Sequence, residues 1–181
     1  MLRICKKTGC WILFFFLTVP GSLCAQGENP QDSVKSARTF VQEFYNWYLK
    51  HGMDKTLKYK KALFSPKLFQ LLKEDVAAQA KARGEIVGVT GDFDVFLASQ
   101  DPGERYVVGK ATPKGESFLV EVYGIWSGKK GTKPAVVPEV AYKDGHWFFV
   151  NFHYEKTEYQ SDENLLNLLK LSRRERQKQR K

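Results

Sequence analysis

The sequence predicts an α+β fold, with N-terminal helices packed on a curved antiparallel sheet. Three observations predict it. Apolar residues recur at helical spacing as far as Gly84, and at a spacing of two from Tyr106 to Tyr154. Asp144-Gly145 sits between two alternating runs and is a strong two-residue hairpin signal. Helices that precede a block of strands, rather than alternating with them, point to segregated layers.

Taken in order, residues 1–25 stand apart. Arg3, Lys6 and Lys7 precede an apolar run with three consecutive phenylalanines, then Pro20-Gly21 and the small residues around Ala25. This order marks a secretory signal peptide, which would direct the chain to the periplasm or out of the cell. A retained membrane anchor is the alternative, although the run falls short of the roughly 20 apolar residues that span a bilayer. Lipid attachment at Cys24 is a third reading, opposed by the bulk of Leu23. Cys5, Cys10 and Cys24 are the only cysteines. Cleavage after Ala25 would leave a mature chain without disulfides or thiolate chemistry.

Residues 26–31 read as a loose N-terminus, and residues 32–159 as a single α+β domain. Asp32 or Ser33 caps a first helix whose face carries Ala37, Phe40, Val41, Phe44 and Tyr48, with Gly52 as a stop. A short helix or turn follows. Ser65-Pro66 then opens a second helix carrying Leu68, Leu71, Leu72 and Val76 toward Gly84. Gly109 and Gly124 inside the strand runs suggest bulges or sharp bends. The Gly- and Lys-rich residues 127–133 read as an exposed loop. Residues 160–181 read as an amphipathic helix, capped by Ser161, that dissolves into a basic tail.

The net charge of +9 is uneven. Residues 1–25 hold three of the positives and residues 170–181 a net six, which leaves residues 26–169 neutral. The globular part therefore presents no basic face, and the positive charge belongs to the tail.

Three stretches carry a family resemblance. They are the aromatic helix from Phe40 to Leu49, the segment from Leu63 to Leu68, and residues 92–102, with Asp94-Val95-Phe96-Leu97 and Gln100-Asp101-Pro102 the most distinctive. On these the chain resembles the domain of unknown function 3828 family of exported bacterial proteins, within the nuclear-transport-factor-two-like or cystatin-like superfamily. Val95 stands where that family pattern carries proline. The resemblance spans about residues 35–154 and implies a cone-shaped roll and export, but no reaction.

Residues 92–101 place three carboxylates among large apolar groups, between the helical and the strand halves. In an extended segment Asp92 and Asp94 share one side. A carboxylate facing an apolar cavity would have its pKa raised and could serve as a general base. The plainer alternative gives Asp92, Asp94 and Asp101 to turn and cap hydrogen bonds. Tyr45, Trp47 and Tyr48 could line a pocket mouth or simply fill the core. Gln100 and Asp101 complete the candidate binding set.

The sequence predicts no metal site and no cofactor. The acids lack the spacing of a calcium loop. His146 and His153, seven apart on one strand, face opposite sides in a regular strand, and no phosphate-binding loop or nucleophile motif is present.

The favoured expectation is a non-enzymatic exported domain that binds a small amphiphilic ligand or an envelope protein in the cavity between helix and sheet. One alternative is an isomerase- or lyase-type enzyme with Asp92 or Asp94 as general base, as in the ketosteroid isomerases the fold resemblance brings to mind. Another is a peripheral scaffold resting on an anionic membrane through residues 165–181. Nucleic acid is disfavoured as a partner for an exported chain.

Overall fold

Ala37, Val41, Phe44, Tyr45 and Tyr48 recur at intervals of three and four, and they form the buried face of helix α1 (Pro30–Tyr59). The structure is a computed structural model that describes residues 30–82, 84–155 and 164–178. The leader, Cys24, the greater part of the loose N-terminus and Ser161 lie outside the described residues, as does the Asp92 side chain. Pro30 and Gln31 belong to α1 rather than to that loose segment; a proline costs no hydrogen bond in a first helical turn. Gly52 ends the first helical segment of α1, as expected, at a kink. Its φ of 71° breaks the helix axis, and a second helical segment follows at once.

After a 3₁₀ turn at Lys61–Leu63, helix α2 spans Pro66–Gln79. The Ser65 hydroxyl accepts from the Leu68 amide, as a capping serine should. The helix ends five residues short of Gly84. A third helix, α3 (Val89–Asp92), occupies part of the stretch expected to be extended.

The strands are β1 (Arg105–Lys114), β2 (Ser117–Trp126), β3 (Lys129–Lys130), β4 (Val137–Lys143) and β5 (His146–His153). They form one antiparallel, curved and unclosed sheet in the order β1-β2-β4-β5, with β3 paired to β2. Asp144 and Gly145 both take positive φ, as a tight hairpin between β4 and β5 requires. Ser127 and Gly128 do the same, so the expected loop at 127–133 contains a short hairpin.

Gly109 lies at a register shift between Val108 and Ala111, which is the expected bulge. Gly124 pairs regularly with Tyr106 instead. A Cβ there would meet the Trp126 ring at 2.1 Å, so this glycine makes room for an indole. A second register shift lets Glu139 pair with Asn151 and Val140 with Phe149, leaving Val150 extra. That bulge brings Phe149 and Phe152 together with ring centroids 5.0 Å apart.

The space expected to be hollow beneath α1 is filled. Phe44 packs on Phe149 at 4.6 Å and on Phe96 at 5.5 Å, and Phe96 packs on Phe152 at 4.9 Å. All four are buried in one continuous core. The sequence reading failed here because it left residues 94–98 outside the barrel of aromatics that they in fact complete.

The expected C-terminal helix is present, and it runs on through Lys178 instead of dissolving into a basic tail. Asn164 caps helix α4 (Leu165–Lys178) by accepting from the Asn167 amide, and Asn151 of β5 holds Asn164 and the Leu166 amide. Leu165 and Leu169 are fully buried in the core, so the apolar face a membrane-lying helix needs is turned inward. The far end is anchored by charge. Asp75 of α2 is 0% exposed, and its Oδ1 accepts from Arg176 at 2.6 Å and from the Ser172 hydroxyl at 3.0 Å. Its Oδ2 accepts from both the amide and the hydroxyl of Thr90 at 2.9 Å. A buried charge of this kind is tolerated because every lone pair is engaged.

Arg176→Ala would leave that carboxylate without its counter-ion and should cost about 3 kcal/mol in urea denaturation. Arg173→Ala removes only a half-exposed pair with Glu74 and should cost no more than about 1 kcal/mol. Equal losses would contradict the lock.

Candidate functional site

Residues 92–101 form a tight plug rather than a strand. Asp94 accepts on Oδ1 from the amides of Phe96 and Leu97, at 3.0 and 3.1 Å, which folds the chain back on itself. The Asp94 amide in turn donates to Ser99 O. Three tyrosines hold the plug from outside. Tyr45 donates to Phe96 O, Tyr154 to Val95 O, and Tyr48 to Asp94 Oδ2 at 2.7 Å. Val95, Phe96 and Leu97 are buried as a result.

The structure therefore separates the predicted site residues. Tyr45 is fully buried and belongs to the core. Trp47 lies elsewhere on α1, stacked on His51 with centroids 4.2 Å apart. Gln100 and Asp101 are exposed at the end of the plug, where the Asp101 carbonyl accepts from Ser99 and Trp126. Asp92 closes α3, so it and Asp94 are not neighbours on an extended segment.

Asp94 does meet the electrostatic expectation. Burial raises its pKa, and the hydrogen bonds from Tyr48, Phe96 and Leu97 offset that only in part. Burial, followed by the Asp94 charge, pushes the Tyr48 hydroxyl far above its ordinary value. Asp94 borders a cleft of about 380 Å³ that also takes in Met53, Asp54 and Thr90. Both carboxylate oxygens are already engaged by the protein, so Asp94 acts first as the cap of its own turn.

A larger cleft, about 780 Å³, opens at the rim between α4, residues 86–89 and the β2–β3 hairpin. The plug contributes one wall through Phe93, Ala98 and Ser99. The opposite walls carry Ile86, Trp126 and Leu171, which are 65, 39 and 55% exposed. Among the described residues Glu155 is the one charged side chain in the lining, with Ser99 and Ser172 among its few polar groups. Sequence reasoning missed this site because its apolar residues come from five separated segments, around residues 86–98, 126, 134–135, 154 and 168–171. Leu171, the last leucine before a run of basic residues, was the only local signal.

His146 and His153 share a side after all, because the Val150 bulge resets the alternation of β5. They remain at its two ends. His153 Nε2 lies 2.8 Å from Glu139 Oε2, which also binds Lys114, while Oε1 accepts from Ser117. Burial raises the Glu139 pKa, but these three partners outweigh it and hold the carboxyl below its usual range.

Fold and site together define an α+β domain with an open antiparallel sheet and an apolar cleft at its rim. Comparison with protein-family models, with curated proteins and with solved structures finds no match for this chain.

Because the folded state raises the Asp94 pKa above 3.8, its stabilising contribution is complete below that pH and declines as pH rises through the folded value. Asparagine can keep the amide hydrogen bonds without the charge. The melting temperature of Asp94→Asn relative to the native chain should therefore rise between pH 3.5 and pH 7. A difference that stays constant, or falls, would show that the charge is not penalised.

Proposed function

We propose that this chain is an exported, non-enzymatic domain that binds a small apolar ligand with a neutral hydrogen-bonding end in the rim cleft. One observation carries the reading. Among the described residues five large hydrophobic side chains are notably exposed, and three of them, Ile86, Trp126 and Leu171, converge on this one cleft. Isolated exposed apolar groups are ordinary, whereas convergence on a concavity is not. Its volume falls within the roughly 300–1,000 Å³ of small-molecule sites.

The lining chemistry favours a ligand class. An apolar body would cover Ile86, Phe93, Trp126 and Leu171, while the Ser99 and Ser172 oxygens, whose protons go to Asp101 O and Asp75, can accept from a ligand alcohol. Among the described residues the lining offers no cation to an anionic head, and its one charge, Glu155, is paired with Lys133. Export rests on the leader-like residues 1–25, and kinship with the domain of unknown function 3828 family on the stretches described above; both are part of the proposal. A non-enzymatic role is supported by the carboxylates themselves. Asp75 and Asp94 have their oxygens filled by protein donors, which leaves neither poised over the cleft as a base.

A neutral long-chain alkyl maltoside, kept below its micelle concentration, should raise the melting temperature of residues 26–181 by about 2 °C or more at saturation. Leu171→Glu, an exposed change, should leave the unliganded melting temperature within about 2 °C and abolish that rise. An equal rise in the variant, or none in the native chain, would contradict the proposal.

A further inference from the structure

A second cleft, about 870 Å³, lies on another part of the molecule, between the 3₁₀ turn, the first half of α2 and the β4–β5 hairpin. Its floor is apolar: Phe64, Pro66, Phe69 and Phe148. The floor is also firmly held, since Ser65 N donates to Phe149 O at 2.8 Å and ties the segment to β5. Three lysines rise around it from three separate elements: Lys61 from the turn, Lys73 from α2 and Lys143 from the end of β4. Lys61 places its ammonium 5.6 Å from the centre of the Phe69 ring. None of the three ammonium groups is ion-paired to a carboxylate among the described residues. Among the described residues Asp144 is the one acid in the lining, which also takes in His146.

The geometry points to a binding site for a single-chain fatty-acid carboxylate, with the acyl chain on the phenylalanine floor and the head among Lys61, Lys73 and Lys143. Both halves of that ligand are required by the lining. A small inorganic anion would satisfy the lysines but leave the aromatic floor wet. A neutral apolar molecule would cover the floor but leave the three lysines that border it without a counter-ion. The charge of the surrounding domain makes the cluster specific, because residues 26–169 are neutral as a whole. This cleft also differs in kind from the first, whose one charged side chain among the described residues is Glu155.

Dodecanoate, titrated calorimetrically below its micelle concentration into residues 26–181 carrying Leu171→Glu, isolates this site from the rim cleft. The account predicts saturable one-to-one binding that weakens as salt is raised. The Lys73→Glu/Lys143→Glu double variant changes only exposed side chains and should bind about ten-fold more weakly or worse. If that variant loses its far-ultraviolet circular dichroism, Lys73→Gln/Lys143→Gln serves in its place. Dodecanoate binding that is absent, unchanged by either variant, or displaced by equimolar inorganic phosphate would overturn the inference. Because the Leu171→Glu background disables the rim cleft, failure here leaves the alkyl maltoside result standing, and the reverse also holds.

Discussion

A single buried carboxylate governs how this chain closes. Asp75 is sealed from water and accepts hydrogen bonds from Thr90 in the segment after α2 and from Ser172 and Arg176 on α4. Taking an ion out of water is costly unless its partners are present together, so α2, residues 85–92 and α4 must assemble as a unit. Gln79, one turn along α2, adds to this by bonding Glu85 O and the Val87 amide. Gly88 is required for the approach, since a Cβ there would lie 2.6 Å from the Asp75 carboxylate. Arg176 also donates to Val87 O, so the lock reaches the wall of the rim cleft directly. Ile86 on one wall and Leu171 on the other keep their separation because both flank this polar contact.

The adjoining plug obeys a different rule. Residues 94–98 enter the space between helix and sheet and bring backbone polar groups with them. Tyr45 and Tyr154 answer two of the carbonyls, and the Asp94 carboxylate answers two amides. These bonds offset the burial of the segment's backbone, and Phe96 can fill the centre of the aromatic cluster. An acid with a raised pKa is here the by-product of architecture. The surfaces proposed for binding are instead the two apolar clefts.

Local chemistry made much of this legible in the sequence. The aromatic face of α1, the Ser65-Pro66 helix start and the Asp144-Gly145 hairpin each depend on residues within a turn or two of one another. The strand alternation behaved likewise, apart from Val150, whose bulge changes which side His153 faces. The other misreadings share a physical cause. Asp75 and Arg176 are separated by 101 positions, and nothing local distinguishes a buried arginine from its solvated neighbours Arg173 and Arg174. The aromatic residues of the core were visible, but the hollow beneath α1 was not excluded until the destination of residues 94–98 was known. The rim cleft is assembled by tertiary contact, so no single stretch announces it.

Native-state hydrogen exchange of the backbone amides tests the central claim, that α4 is integral to the fold through Asp75. The account predicts that amides in the middle of α4 exchange only with global unfolding, at the same free energy as those of β5. Exchange of α4 at a much lower free energy, with β5 still protected, would mean that it is a loosely attached appendage, and the lock and the cleft it shapes would both be contradicted.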